Sequence, residues 1–283
     1  MVAIIGTATG AVVLLKGVDM LQHSLKPLIN DRLWVTLLIA FAHTLPALAH
    51  QAMMLVIQRA NLFQELIIQP NPRSPVTAEL KHKLWRSVFI THVIVVPFVV
   101  WLLHPYIIEG NLRDIPTRFQ IGLMPTFKEA LPQLFICILF EDAAFYWSHR
   151  LLHTPWLYAR IHKQHHEFHT LTACSFASEY THPIESILGN IVPLIIGPLI
   201  CHCKFTTFLI WIVIRIFKTC DAHCGYAFRW SPFGLCWPLN NAAKHDYHHE
   251  SGFGGCFGSF FVIWDQICGT DESYYRDKHT KQT

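Results

Sequence analysis

Histidines stand out in this chain of 283 residues, because 19 are present and eight of them fall into three short clusters. The clusters read His149-x-x-x-His153, His162-x-x-His165-His166 and His245-x-x-His248-His249. In a helix of about 3.6 residues per turn, spacings of three and four place side chains on the same face. One helix can then offer two or three imidazole nitrogens to a common point. This spacing is typical of metal ligands.

Eight imidazoles are too many for one metal ion and enough for two with open coordination positions. His182 and His223 lie between the clusters and would raise the total to ten, or five for each ion. The sequence therefore predicts a dinuclear site with these ten ligands: His149, His153, His162, His165, His166, His182, His223, His245, His248 and His249. The solitary histidines elsewhere, such as His43, His50 and His92, are interpreted as structural residues.

Ligand type alone leaves the metal open, since imidazole suits iron, zinc, copper and nickel. A structural zinc site built on cysteine is disfavoured, because Cys220 and Cys224 are the only cysteine pair at helical spacing. A metalloprotease is disfavoured because no H-E-x-x-H motif occurs. An all-nitrogen dinuclear site in an apolar protein favours oxygen activation, with a lipid as substrate and water excluded.

Carboxylates near the clusters are candidates to accept the second N–H of a ligating imidazole, which fixes its tautomer. They are Glu141, Asp142, Glu167, Glu179, Asp221 and Asp246. After the last cluster comes the sequence Gly252-x-Gly254-Gly255-x-x-Gly258. It lacks the preceding strand of a dinucleotide-binding loop, so it is interpreted as a tight turn that positions the last cluster. Because no flavin or nicotinamide module is visible, electrons must come from a separate protein.

The composition indicates a membrane protein. Apolar residues make up 52% of the chain and charged residues 14%, against about 25% in typical soluble proteins. The fold class predicted is all-α: a polytopic membrane protein with about four transmembrane helices or hairpin segments and a cytosolic, His-rich helical di-metal domain. The predicted spans are 34–57, 88–103 and 127–147, and the fourth is a hairpin near 187–214, interrupted by prolines and glycine.

Basic residues in the short loops predict the orientation. The loop after the first span holds five and the loop at 105–126 holds two, so the first loop is expected in the cytosol. Every histidine cluster then falls on the cytosolic side. Whether residues 2–18 cross the bilayer stays open. The predicted organisation is an N-terminal segment (1–33), membrane helices and loops (34–140), a di-metal domain (141–275) that includes the hairpin near 187–217, and a tail (276–283).

Charge and cysteine content exclude other classes. The net charge is +3 and there is no long basic run, so nucleic acid is not an expected partner. The nine cysteines are an odd number and lie partly in apolar stretches, which indicates reduced thiols rather than a disulfide framework.

Several motifs resemble the fatty acid hydroxylase and sterol desaturase superfamily, and within it the C4-methylsterol oxidases. The resemblance covers roughly residues 34 to 275. It rests on Glu141-Asp142, HRLLH (149–153), IHKQHHEF (161–168), ASEYTHPIES (177–186), DAHCGY (221–226), HDYHH (245–249) and WDQICGTD (264–271). The histidine clusters specify the superfamily, and Glu-Tyr-x-His-Pro with the HHEF ending favours the methylsterol oxidase branch.

The resemblance implies an enzyme of the endoplasmic reticulum membrane with a non-haem di-iron centre. It implies O₂ as co-substrate and electrons from NAD(P)H through cytochrome b5 and its reductase. The substrate would be a sterol whose C4-methyl group is oxidised stepwise to alcohol, aldehyde and carboxylate. The family's ligands fall on the eight clustered histidines, completed by His182 and His223. Relatives commonly lack a histidine where this chain has His169, which therefore is not counted.

The resemblance also shows one departure. Thr219 stands where the wider superfamily often has the first histidine of a pair ending at His223. If His182 does not compensate, one metal loses a ligand. The alternatives that stay open are the same chemistry on another lipid (sterol side-chain hydroxylation, C5-desaturation or fatty-acyl hydroxylation) and a non-catalytic membrane protein that binds zinc.

Overall fold

A computed structural model of the chain describes residues 30–70, 76–107, 125–169, 174–251 and 255–280. The segment 2–18, whose relation to the membrane the sequence leaves open, lies outside these ranges. Within them the protein is helical and has no β-strand, which confirms the predicted fold class. The α-helices there are α1 (Asp31–Arg59), α2 (Ala78–Phe89), α3 (Val96–Ile107), α4 (Phe127–Leu152), α5 (Pro155–Arg160), α6 (Pro183–Glu185), α7 (Val192–Ile200), α8 (Phe205–Ala222), α9 (Ala242–Ser251), α10 (Ile263–Cys268) and α11 (Glu272–Thr280).

Single turns of tighter or wider helix join several of these elements. Residues Ile90–Val95 form a π-helical turn between α2 and α3, and Ser186–Ile191 form another between α6 and α7. The 3₁₀ turns are Gln64–Leu66, His162–Glu167 and Ser175–Glu179. Turns of both kinds are short because their hydrogen-bond geometry is poorer than that of the α-helix.

Four helical segments of the described chain are long and apolar enough to cross a membrane: Asp31–Arg59, Ala78–Pro105, Phe127–Leu152 and Pro183–Ile200. Large apolar side chains on them face outward, and Phe41, Phe98 and Phe135 are 52%, 63% and 58% exposed. Such a surface would be costly in water and is favourable against lipid. The number of spans therefore agrees with the prediction.

The helix of the second candidate span begins at Ala78, before the uncharged segment that starts at residue 88. The Thr77 side chain accepts a hydrogen bond from the Leu80 N–H and caps α2. Lys83 and Glu79, four residues apart, form an ion pair of 3.0 Å on this exposed turn. Basic residues that the sequence analysis assigned to a loop, such as Lys81 and Arg86, therefore lie in a helix.

The predicted hairpin is a pair of helices separated by a short turn at residues 201–204. The first arm, Pro183–Ile200, packs along α4, and the second arm, α8, packs along α1. Only the first arm is among the four candidate spans. The second arm carries Arg215 and Lys218, both buried; Arg215 forms a buried ion pair with Glu141 of α4. The second arm therefore ties α1 to α4 beneath the histidine clusters.

The main apolar core lies where α1 and α8 meet. Trp34, Leu38, Trp211 and Ile212 are buried there. The same cluster continues to Phe168 and the 3₁₀ turn at Ser175–Glu179, next to the second histidine cluster. The membrane helices and the histidine-bearing turns therefore share one core, which fixes the turns relative to the helices.

Helices α4 and α7 touch at Gly197. A Cβ atom at this position would lie 2.5 Å from the Cα of Cys137. This close backbone approach is typical of packed membrane helices, where small residues line the interface. Gly197 is therefore required by packing, and it is not simply a break in the hairpin.

We expect Gly197→Ala to lower the free energy of unfolding by about 1–3 kcal/mol, because the added methyl group forces the two helices apart. Gly189→Ala is the matched control, since its Cβ would meet its nearest neighbour, Leu152 Cδ1, at an ordinary 3.5 Å. The measurement is denaturant-induced unfolding of the detergent-solubilised protein. Equal stability of the two variants would show that the α4–α7 contact is not this close.

Candidate metal centre

Nine buried histidines converge in two groups. The first group contains His149, His153, His162, His166 and His248, and the second contains His165, His223, His245 and His249. Within each group, one ring nitrogen from every member lies within 4.8 Å of the others. The two groups adjoin, because the rings of His166 and His249 stack with their centroids 4.7 Å apart. This is the arrangement of a dinuclear metal site.

In the α-helices α4 and α9, the way the clusters divide follows from helix geometry, and the 3₁₀ turn His162–Glu167 divides its histidines in the same way. Pairs four residues apart stay together: His149 with His153, His162 with His166, and His245 with His249. Adjacent histidines separate, so that His165 and His166 belong to different groups, as do His248 and His249. Successive residues of a helix point about 100° apart or more, and therefore cannot aim at one point. Of the two or three nitrogens expected from one helix at a common point, the described chain provides at most two, and each H-x-x-H-H cluster contributes to both groups.

The spacing of nitrogens suits a metal ion. In the first group, Nε2 of His153 lies 3.1 Å from Nε2 of His248, and Nε2 of His162 lies 3.1 Å from Nε2 of His166. In the second, Nε2 of His223 lies 3.3 Å from that of His165 and 2.9 Å from that of His245. Two nitrogens bound at right angles to one ion at about 2.1 Å are separated by about 3 Å. The observed separations match this value.

Backbone carbonyls set the tautomer of four of these imidazoles. Nδ1–H of His149 donates to Phe257 O at 3.0 Å, and that of His248 donates to Gly255 O at 2.7 Å. Nδ1–H of His249 donates to Phe168 O at 2.9 Å, and that of His223 donates to Thr219 O at 2.8 Å. A carbonyl can only accept, so Nδ1 carries the proton and Nε2 keeps its lone pair. Nε2 of His249 is buried and has no hydrogen-bond partner, as a metal-binding atom requires.

The glycine-containing loop holds the clusters, as the sequence predicts, through its carbonyl groups. Residues 252–254 lie outside the described chain, but Gly255 has a φ of 89° and a Cβ there would lie 1.8 Å from Thr270 O. Only glycine permits this close approach. It brings Gly255 O to His248, and two residues later Phe257 O meets His149.

Two buried carboxylates fix the same loop. Asp265 accepts hydrogen bonds from the backbone N–H groups of Phe257 and Gly258, at 2.8 and 2.9 Å. Asp142 accepts from those of Phe260 and Phe261, at 2.7 and 2.9 Å. These carboxylates hold the loop rather than the imidazoles, so their effect on the histidines is exerted through the backbone carbonyls.

Glu185 is the carboxylate that contacts a clustered histidine. Its Oε1 lies 2.9 Å from Nδ1 of His162, and both side chains are buried. Sequence reasoning missed this residue and proposed six others. Those six have different partners in the structure; for example, Glu141 pairs with Arg215 and Asp221 accepts from Ser231 Oγ. The signal that could have found Glu185 is the cost of an acidic residue at the start of an apolar span.

Burial keeps the imidazoles neutral. It lowers the pKa of His223 to about 4 and that of His153 to about 2, and it lowers the pKa values of His165 and His248 well below the ordinary value. Neighbouring imidazoles lower these values further for His153, His165 and His248. A metal ligand must be deprotonated, so the site is ready to bind a cation at neutral pH.

The structure does not bring His182 to either group, which corrects the prediction of ten ligands. Nδ1 of His182 accepts a hydrogen bond of 3.2 Å from the Ile184 N–H and so caps the helix that begins at Pro183. His169 is exposed and also lies outside both groups. Thr219 contributes its carbonyl to His223. One group therefore has five histidines and the other has four.

A small cavity adjoins both groups. Five histidines line it: His149, His162, His165, His223 and His245. Its apolar lining includes Phe145 and Leu152 of α4, and Gly189 of the fourth candidate span. The cavity therefore lies between two membrane helices and the histidines.

Four candidate membrane spans, together with two adjoining groups of buried histidines beside a cavity, define a membrane protein with a candidate dinuclear metal centre. The chain belongs to the fatty acid hydroxylase family, whose sequence profile matches residues 134–270. This range contains all nine converging histidines.

Curated relatives carry several activities in their names. Methylsterol monooxygenase 2-2 of Arabidopsis thaliana is 38% identical over 161 residues, which is 56% of this chain and 59% of the relative. Very-long-chain aldehyde decarbonylase GL1-8 of Oryza sativa subsp. indica is 30% identical over 227 residues, or 79% of this chain and 80% of the relative. Fatty acid hydroxylase domain-containing protein 2 of Homo sapiens is 34% identical over 221 residues, or 78% and 61%. The match to the Arabidopsis protein thus spans about three-fifths of its length, and no solved structure is significantly similar to this chain.

We expect Glu185→Ala to weaken metal binding by about 10–100-fold, because His162 loses the carboxylate that lies 2.9 Å from its Nδ1. Glu185→Gln keeps a side chain of the same shape and should weaken binding less. Glu167→Ala is the control, since this exposed carboxylate accepts a hydrogen bond from the Tyr180 hydroxyl and lies beside the same cluster in sequence. The measurement is competition against a chelator of known affinity. Unchanged affinity in Glu185→Ala would contradict a role for this contact.

Proposed function

We propose that this chain is a membrane-bound di-iron monooxygenase that oxidises the C4-methyl group of a sterol. The observation that carries the proposal is the convergence of nine buried, neutral histidines from four elements into two adjoining groups. The similarity to methylsterol monooxygenases, together with the Glu-Tyr-x-His-Pro segment, supports the sterol branch. Iron is proposed as the metal because a paired redox-active ion suits oxidation of an unactivated C–H bond.

The proposed ligands of one ion are the five histidines of the first group, and those of the other are the four of the second. When bound, two iron ions would supply the electron-transfer chemistry needed to reduce O₂ and oxidise a methyl group. The chain's own residues do the rest. Phe257 O and Thr219 O hold Nδ1 protons so that Nε2 faces inward, and Glu185 orients His162.

The lining of the small cavity supports a lipid substrate. Phe145 and Leu152 provide apolar surface beside the histidines. Thr181 and Asn190 also line the cavity and can form hydrogen bonds with a sterol hydroxyl. Because the cavity lies between two candidate spans, we propose that the sterol reaches the histidines from the bilayer.

The electron donor and cellular location are part of the proposal. We propose that cytochrome b5 and its reductase deliver electrons from NAD(P)H, because the chain shows no flavin or nicotinamide sequence motif of its own. The proposed location is the endoplasmic reticulum membrane, with the histidine groups on the cytosolic side. The basic residues at the adjoining ends of the first two spans, such as Arg59, Lys81 and Arg86, support this orientation.

We expect His165→Ala and His248→Ala, one from each group, each to abolish sterol oxidation while membrane insertion stays intact. Each change removes one ligand nitrogen from a different ion, and iron content should fall accordingly. His82→Ala, at an exposed position of α2, is the control. The measurements are NADH-dependent O₂ uptake with a 4-methylsterol and iron per chain. Full activity in either ligand variant would refute its assignment.

We expect Gly189→Val to raise the KM for the sterol at least tenfold, because the added side chain would fill the small cavity beside Leu152 and Glu185. Iron content should stay at the wild-type value, since Gly189 is not a ligand. Leu188→Phe is the control, because the Leu188 side chain, next to Gly189 in the sequence, is 45% exposed on the outer surface. Equal KM values in the two variants would exclude this cavity as the substrate site.

A second candidate function is aldehyde decarbonylation, favoured by the rice relatives that align over 79% of this chain. Sterol profiling of cells that lack the protein separates the two. Accumulated 4-methylsterols would support the sterol proposal, whereas normal sterols with accumulated very-long-chain aldehydes would replace it with the second. Tightly bound zinc with no turnover of either substrate would support a non-catalytic protein.

A further inference from the structure

A third cluster of metal-ligating side chains lies outside both histidine groups. It consists of His43 on α1, His92 in the π-helical turn and Glu179 in the 3₁₀ turn at Ser175–Glu179. One ligand atom from each lies within 4.8 Å of the other two. Two imidazoles and one carboxylate are a common ligand set for zinc and for ferrous iron.

An irregular stretch of the second span places His92 in this cluster. Residues Ile90–Val95 form a π-helical turn between two α-helical stretches of the second span. Such turns are rare and are frequent at functional sites, because the extra residue rotates the following side chains. His92 is buried here, with its ring centroid 4.7 Å from that of His43 and 6.0 Å from that of Phe176. Phe176 and Glu179 lie in the same 3₁₀ turn, so the turn that carries the carboxylate also packs an aromatic ring against His92.

The polar atoms of the cluster are poorly satisfied by the protein itself. Nδ1 of His43 and Nε2 of His92 are buried, and neither has a hydrogen-bond partner. Nε2 of His92 lies 3.6 Å from Oε2 of Glu179, beyond hydrogen-bonding distance. In contrast, His92 Nδ1 and the Thr44 hydroxyl form a hydrogen bond of 2.9 Å, which orients the ring with Nε2 toward Glu179. A cation between these atoms would satisfy all of them at once.

We propose that His43, His92 and Glu179 bind a third, mononuclear divalent transition-metal ion, separate from the dinuclear centre. A metal bound at about 2.1 Å in tetrahedral geometry holds its ligand atoms about 3.4 Å apart, close to the 3.6 Å between His92 and Glu179. Three protein ligands leave at least one position for water or another ligand. The ion joins the first span, the second span and the turn that precedes Tyr180, and therefore fastens two membrane helices to the segment beside the second histidine group.

The sequence gives no spacing signal for this site. His43 and His92 each stand alone in a predicted span and were interpreted as structural residues, whereas Glu179 was a candidate partner for a clustered histidine. Their ligand set depends on three elements that are distant in the chain. The proposed site differs from both interpretations.

The first test is metal stoichiometry of the full-length protein in detergent, loaded with Zn²⁺ and passed through a desalting column. We expect His92→Gln to hold one ion per chain less than the wild type. His50→Gln is the matched control: His50 is equally buried, lies on α1 and is hydrogen-bonded to Ser175 Oγ at 2.8 Å. The control should keep the wild-type number. Because the result is a difference between variants, it does not depend on how many ions the two histidine groups hold.

The second test labels the site directly. A His43→Cys variant loaded with Co²⁺ should show a thiolate-to-cobalt charge-transfer band in the near ultraviolet that the wild type lacks. The His50→Cys variant should not show it. Adding Glu179→Gln to His43→Cys should weaken the band, since the carboxylate ligand is lost.

The outcomes separate clearly. A loss of one ion in His92→Gln together with the new band in His43→Cys supports the third site. Unchanged stoichiometry in His92→Gln, or no band in a folded His43→Cys protein, overturns it. If His92→Gln loses every ion through misfolding, the cobalt band decides. Loss of ions only in His165→Ala and His248→Ala would bear on the dinuclear centre and leave the third site refuted.

Discussion

The whole arrangement depends on burying many neutral imidazoles whose lone pairs face one another. Nε2 atoms of His153 and His248 lie 3.1 Å apart, and those of His223 and His245 lie 2.9 Å apart. A buried nitrogen that lacks a partner costs about 1–3 kcal/mol, and Nε2 of His249 is one such atom. Cations placed between the lone pairs would remove this cost. The surrounding protein is built to present the nitrogens in this orientation.

That orientation comes mostly from main-chain carbonyls rather than from acidic side chains. Four Nδ1–H groups donate to carbonyl oxygens of Gly255, Phe257, Phe168 and Thr219. Carboxylates act one step away, as Asp142 and Asp265 hold the loop that carries two of these carbonyls. Neutral acceptors would compensate the positive charge of two bound metal ions less than carboxylates would. Glu185, beside His162, is the exception that the structure describes.

Sequence reasoning found the local features and missed those that depend on distant segments. The apolar runs gave the spans, and the i, i+4 spacing identified pairs such as His149 with His153 because helix geometry is local. His165 and His166 belong to different groups because adjacent residues point in different directions, which the sequence analysis did not predict. His182 lies outside both groups because a helix begins at Pro183 and the His182 imidazole caps its N-terminus. The cost of an acidic residue in an apolar span marks Glu185, but nothing in its sequence neighbourhood, or in that of the carbonyl acceptors, records which imidazole each one meets.

The split of adjacent histidines couples the two metal positions mechanically. His165-His166 and His248-His249 each send one imidazole to either group across a single peptide unit. Immobilising one imidazole restricts the backbone dihedrals of its neighbour, so part of the ordering entropy of the second position is already lost when the first is filled. If both positions bind a metal ion, filling one would therefore already order part of the other.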